Sequence, residues 1–307
     1  MPARSLFMLT ALAALWGGSF VFMRYAVPAL GPVPLAFART AIAAVALLAF
    51  AIVHFSFRQF SFRQRSLPDL RTRWRGLAVV GLVNSALPFV LFCFAEQTIT
   101  ASTAAILNAT SPFFGAMAAA IWLGEALTAR KLGGMALGLT GVVVLVGWQP
   151  EPLDTATALA IAACLAAALC YGLAGVYTKR RMQGVSSNAL ACGSQLAAAI
   201  LLVPVVPFTS VPGPVTGWVI ANVVALAVAS TAIAYRIYFR LIADIGPSRA
   251  LTVTFLIPLF GVLWGFLFLG EAIGPNMLLG GVLIVAGTAL ALKDGAAAAI
   301  VTAKAPR

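Results

Sequence analysis

Apolar residues fill ten long blocks of this chain, near 6–27, 33–55, 76–97, 102–123, 131–148, 157–178, 186–208, 216–239, 248–269 and 274–292, and polar residues gather in the links between them. A helix needs about 20 apolar residues to cross the hydrocarbon of a bilayer. The pattern therefore predicts ten transmembrane helices, spans one to ten. Links such as 98–101 and 270–273 leave no room for a soluble domain. The chain reads as one integral membrane unit.

The pattern also repeats. Residues 85–146 recur without a gap at 231–292. Leu123-Gly124-Glu125-Ala126 falls on Leu269-Gly270-Glu271-Ala272, Pro112 on Pro258, Phe114-Gly115 on Phe260-Gly261, and Gly134 and Gly141 on Gly280 and Gly287. A weaker match sets Trp16-Gly17 on Tyr171-Gly172 and Arg24 on Lys179. Each unit holds five spans. Five is odd, so the second unit enters the bilayer from the opposite face, related to the first by a pseudo-two-fold axis in the membrane plane. The expected fold is an all-α integral membrane protein of two inverted five-helix repeats, 1–148 and 149–294, with 295–307 a disordered cytoplasmic tail. Such symmetry usually marks a transporter with its site between the halves. Gly134-x-x-x-Gly138 and Gly261-x-x-x-Gly265 let helix backbones approach closely; packing within one chain, hence a monomer, is expected from them.

Composition excludes a water-soluble core: 62% of residues are hydrophobic and 9% charged. The net charge of +12 is no nucleic-acid signature, because its placement follows topology. With links numbered alternately from an inside N-terminus, the inside set holds 17 of the 20 Lys and Arg, including Arg58, Arg63, Arg65, Arg71, Arg73 and Arg75. The opposite links hold Glu96, Glu151, Asp154 and Glu271 and no basic residue. This positive-inside pattern predicts cytoplasmic termini and membrane lipids, not nucleic acid, as the surroundings. A cleaved signal peptide would remove span one and spoil the alternation. Cys93, Cys164, Cys170 and Cys192 fall within spans without metal spacing and read as small buried hydrophobes.

Polar side chains inside spans need a reason. Pro88, Pro112 and Pro258 are the candidate kinks or hinges, displacing the carbonyls of Asn84, Asn108 and Thr254. Carbonyls freed at mid-membrane must find protein partners or face a wet cavity. Asn84, Asn108, Ser111, Thr231 and Thr254 are thus candidate chamber residues; hydroxyls that only mend kinked helices are the equal alternative. Trp16 and Tyr171 are repeat mates near mid-span, and Phe89 and Phe92 correspond to Tyr235 and Tyr238. Aromatic stripes are more often packing, yet tyrosine hydroxyls in hydrocarbon need partners. Arg24 and Arg236 lie near span ends and are expected to snorkel. Arg39, about 9 Å into span two, is the candidate partner of a substrate carboxylate.

Absences narrow the chemistry. Glu96, Glu125 and Glu271 all lie near span ends, and the sole histidine, His54, is at the cytoplasmic end of span two. Coupling through a mid-membrane carboxylate has no support, which favours facilitated movement or exchange. There is no Gly-Lys dipeptide for a phosphate-binding loop. No catalytic residue, cofactor or metal is expected.

Leu15-Trp16-Gly17-Gly18-Ser19-Phe20, Ser111-Pro112-Phe113 and the doubled Leu-Gly-Glu-Ala carry a resemblance. From about residue 6 to 293 the chain resembles the EamA family of the drug/metabolite transporter superfamily and, within it, the YddG-type bacterial amino-acid exporters. The resemblance implies a ten-helix basket in the bacterial inner membrane that exports amino acids or related metabolites by alternating access. Spans one, three, four, six, eight and nine would line its cavity, making Trp16, Asn84, Asn108, Ser111, Tyr171, Thr231, Tyr235 and Thr254 substrate-binding candidates. Smaller multidrug relatives use a glutamate where this chain has Trp16-Gly17-Gly18-Ser19, which argues against proton-driven cation efflux. The rivals are export of a different metabolite or a drug, and a membrane enzyme or lipid-handling scaffold.

Overall fold

The computed structural model describes residues 3–57, 67–146, 154–245, 250 and 253–303, and every regular element among them is helical. In chain order the α-helices are α1 (Ala3–Leu30), α2 (Pro32–Phe57), α3 (Leu67–Thr72), α4 (Trp74–Gly81), α5 (Leu87–Ala95), α6 (Ala101–Asn108), α7 (Ser111–Leu123) and α8 (Ala129–Val146). There follow α9 (Thr155–Arg181), α10 (Ser187–Leu202), α11 (Gly217–Ala227), α12 (Ala234–Ile245), α13 (Val253–Leu269) and α14 (Pro275–Ala303). Arg58, Arg63, Arg65, Glu151, Arg249, Lys304 and Arg307 lie outside the described residues.

Among the described residues, six stretches are long and apolar enough to cross a membrane: Ala3–Leu30, Pro32–Phe50, Trp74–Ala95, Ala101–Leu123, Thr155–Arg181 and Gly217–Ile242. Ser187–Leu202, Val253–Leu269 and Pro275–Ala291 are apolar but shorter. The 17 residues of α13 span only about 25 Å at 1.5 Å per residue. The last helix, α14, runs on through residues 295–303, where Ala296–Ala299 supply the strongest helix former. Large apolar side chains such as Phe7, Ile121, Phe208 and Val282 are exposed, the surface of a protein solvated by lipid rather than water.

The halves interlock through glycine. A Cβ on Gly134 would lie 2.5 Å from the Gly287 carbonyl oxygen, and one on its mate Gly280 2.7 Å from the Gly141 oxygen. Each contact is therefore the other's image across α8 and α14. A Cβ on Gly17 would meet Gly261 N at 2.8 Å, and one on Gly172 would meet Gly115 N at 2.5 Å. So α1 of one half lies against α13 of the other, as α9 lies against α7. This reciprocity is what a two-fold relation requires. The Leu-Gly-Glu-Ala corners match too: Gly124 (φ 68°) and Gly270 (φ 63°) stop α7 and α13 in the left-handed region that glycine tolerates. Glu125 N then bonds Ala119 O at 3.3 Å and Glu271 N bonds Gly265 O at 3.2 Å.

Between α4 and α5, and between α11 and α12, the helix widens into π-turns at Leu82–Ala86 and Val228–Ile233. These are equivalent positions. Pro88 follows the first, but Ala234 stands in its place after the second. Proline is therefore not what makes them. Pro112 and Pro258 also part company: the first begins α7 after a break at Ala109–Thr110, whereas the second lies inside an unbroken α13.

Candidate functional site

A π-turn inserts one residue, which pushes polar groups out of the i→i−4 ladder and often marks a functional position. Here each π-turn offers a hydroxyl to the opposite half. Arg39 Nε donates to Thr231 Oγ1 at 3.1 Å, and Gln195 Nε2 donates to Ser85 Oγ at 2.9 Å. Ser85 and Thr231 are repeat mates, so α2 reaches the second π-turn just as α10 reaches the first. Neither Ser85 nor Gln195 stood out in the sequence; the 146-residue alignment of Ser85 on Thr231 was the available signal.

Arg39 is the cation at the centre of this arrangement. It is 5% exposed, stacks on Phe89 with its Cζ 3.6 Å from the ring centroid, and directs Nη1 to Met23 Sδ at 3.4 Å. A desolvated guanidinium over an aromatic face gains about 2 kcal/mol. The contacts named use two of its five N–H groups, and among the described residues no carboxylate lies within salt-bridge distance. Around it, Asn84 Nδ2 donates to Tyr235 OH at 2.9 Å. Trp16 meets Tyr235 edge-on at 6.4 Å and Tyr238 at 5.3 Å, while Tyr171 stacks on Phe92 at 6.2 Å. Burial plus these ring contacts bring Trp16, Arg39, Asn84, Tyr171, Thr231 and Tyr235 from both halves into one polar–aromatic cluster. A cleft of about 400 Å³ among Met8, Phe50, Ile233, Arg236, Ile237 and Arg240 opens beside the second π-turn.

Asn108 and Ser111 are engaged otherwise. Ser111 Oγ donates to the Asn108 carbonyl at 2.6 Å, healing the break that Pro112 makes. Thr288 Oγ1 does the same for the Ala109 carbonyl at 2.9 Å. Thr254 is half-buried on α13, one turn before Pro258. Arg24 Nη1 donates to the backbone carbonyls of Glu96 and Ile99, just past the end of α5. Arg236 stacks over Phe50 at 5.2 Å.

The two glutamates of the repeated corner act at opposite ends. Glu271 receives Ala101 N at 2.8 Å, Ser102 N at 2.9 Å and Ser102 Oγ at 2.5 Å, so it caps the start of α6 from the other half. Glu125 pairs with Lys179 at 2.9 Å and Lys131 at 3.7 Å. The Lys179 hydrogen bond holds the Glu125 carboxyl below its usual range. A depressed carboxyl stabilises the fold above its unfolded pKa and ceases to as pH falls through the folded one. The side chain is 39% exposed, so the pair is worth less than about 1 kcal/mol. Glu125→Gln should cost that little near neutrality, and the cost should fade only as pH drops below the ordinary glutamate value of about 4.3 and through the lower folded one; melting curves of both proteins across pH check it.

The EamA-like transporter family matches residues 3–147 and 158–293. The chain belongs to that family, and so to a family of multi-pass membrane transporters. A relative in Streptantibioticus cattleyicolor named "Probable terminal-alkyne amino-acid exporter" is 27% identical, covering 70% of this chain and 71% of its own. The S-adenosylmethionine/S-adenosylhomocysteine transporter of Chlamydia muridarum is 27% identical, covering 89% and 87%. One solved crystal structure shares the fold with a TM-score of 0.64 at 19% identity, covering 95% of this chain and 97% of that one.

Proposed function

We propose that the chain is an inner-membrane exporter of amino acids and related metabolites, working by alternating access between two inverted five-helix repeats that cross the membrane ten times. Trp16, Asn84, Tyr171, Thr231 and Tyr235 form the wall of its chamber, and Arg39 receives the substrate carboxylate. Asn108, Ser111 and Thr254 lie on the walls contributed by the prolyl helices, where Pro112 and Pro258 serve as hinges. Both termini face the cytoplasm, so the Glu271 corner faces outward.

The carrying observation is Arg39: a buried cation with donors to spare, between the halves, paired with no acid among the described residues. The cargoes named for the two relatives share an α-amino-acid head, the chemistry a buried guanidinium suits. The aromatic surround suits an apolar side chain. Movement is facilitative or by exchange, since the cluster holds no acid to carry a proton.

Purified protein in liposomes preloaded with unlabelled amino acids should accumulate labelled ones by counterflow, several-fold above empty liposomes. A panel of aromatic and aliphatic amino acids that all match the empty control overturns this reading; accumulation of a nucleoside-like solute alone would put the other metabolite class in its place.

A further inference from the structure

Glu96 lies at a span end, just past α5. It is fully buried there, and neither carboxylate oxygen has a hydrogen-bond partner among the described residues. The cation beside it is engaged elsewhere: Arg24 Nη1 donates to the main-chain carbonyl of Glu96 itself and to that of Ile99 at 3.5 Å. Those two bonds tie α1 to the link between α5 and α6. At the same end, Glu271 ties the corner before α14 to the start of α6 with three donors. One acid at this end is fully satisfied, and the other has no hydrogen-bond partner among the described residues.

The groups that bear on Glu96 come from each neighbour: Arg24 on α1, Arg39 on α2, Cys164 on α9, Glu271 from the corner, and Cys93 on its own helix. Neither cation touches the carboxyl, and Glu271 adds like charge. Burying a carboxylate that no donor reaches is costly, while the uncharged acid is tolerated.

We propose that Glu96 is a proton-binding site of the outer gate, occupied while Arg24 and Glu271 hold that mouth shut and emptied to outside water when it opens. The open mouth hydrates the carboxyl, and its proton leaves to bulk water. The resulting carboxylate draws the Arg24 guanidinium off the carbonyls of Glu96 and Ile99, which removes one of the two ties. The proton enters and leaves by the same mouth, so it sets the gate without being carried across. Because the closed form holds one more proton than the open form, the open-to-closed ratio rises with external pH, by up to about tenfold per pH unit. This rests on the alternating-access reading and its orientation, and adds to it an export rate slowed by external acid.

The test uses the full chain in lipid nanodiscs with spin labels at Leu30, at the end of α1, and Thr98, in the link between α5 and α6, the two elements that Arg24 ties. Between about pH 5 and about pH 8.5, the wild-type distance distribution should gain a longer component. Glu96→Gln, which mimics the neutral acid, should keep the short distance throughout, and Glu271→Gln should keep the pH response. A wild-type distribution that ignores pH overturns the proposal, and so does a response that survives Glu96→Gln. If Glu96→Gln does not fold, Arg24→Gln serves: it should weaken the response, and an unaltered one overturns the latch. Liposome counterflow fails separately, since absence of transport by wild type sinks the exporter reading while the label distances still report on the gate.

Discussion

Arg39→Gln should weaken the competition of amino acids for transport by roughly 10- to 100-fold, while competition by the corresponding amino-acid amides changes several-fold at most. A hydrogen bond to a charged group is worth about 1.5–3 kcal/mol, and each 1.4 kcal/mol is about tenfold in affinity. The discrimination matters more than the loss. Arg39 also ties α2 to the second π-turn through Thr231, so any change there disturbs packing. Packing damage lowers transport of every solute alike, whereas loss of a carboxylate partner lowers only the acids. Thr231→Val separates the two further: it removes the tie, keeps the cation, and should cost acids and amides equally. Arg39→Lys keeps a point charge but not the planar fork, so it should recover only part of the affinity. Equal losses of acids and amides in Arg39→Gln would return Arg39 to a structural role.

What was legible beforehand follows from what a sequence encodes locally. Long apolar blocks and a 146-residue repeat need no tertiary knowledge, and the glycines at 134, 141, 280 and 287 meet across the halves as their repetition implied. The polar–aromatic cluster was legible in part, because Trp16, Asn84, Tyr171, Thr231 and Tyr235 are costly in hydrocarbon wherever they point. The π-turns were not. Leu82–Ala86 and Val228–Ile233 share geometry without sharing a breaker, since Pro88 faces Ala234, and what holds each is a side chain from the opposite half. The position of Glu96 at a span end was legible and its burial was not, because depth along a span says nothing about what covers its end. How each proline is accommodated was not legible either: Pro112 follows a break, where Ser111 and Thr288 supply hydroxyls that satisfy carbonyls, while its mate Pro258 lies inside an unbroken helix.

Gly134→Ala and Gly280→Ala should each destabilise the protein by about 1–3 kcal/mol, and Gly133→Ala should not. The three sites differ only in what a methyl group meets. At Gly133 nothing lies within 4 Å of the added Cβ, so the change gains helix propensity and costs nothing. At Gly134 the same atom comes within 2.5 Å of a carbonyl oxygen and 2.7 Å of Ala291 N. At Gly280 it comes within 2.7 Å of both Gly141 O and Leu145 N. These obstacles are backbone, which cannot rotate away as a side chain does, so α8 and α14 must separate. Separation at either contact relaxes the other, because the two lie on the same pair of helices. The double variant should therefore lose less than the sum of the singles, a coupling of at least about 0.5 kcal/mol. Unfolding in mixed detergent, read by far-ultraviolet circular dichroism for the three singles and the double, measures all four values. Additive losses would mean that α8 and α14 yield locally at each glycine, and equal tolerance at 133 and 134 would mean that the close approach of the two helices does not hold the halves together.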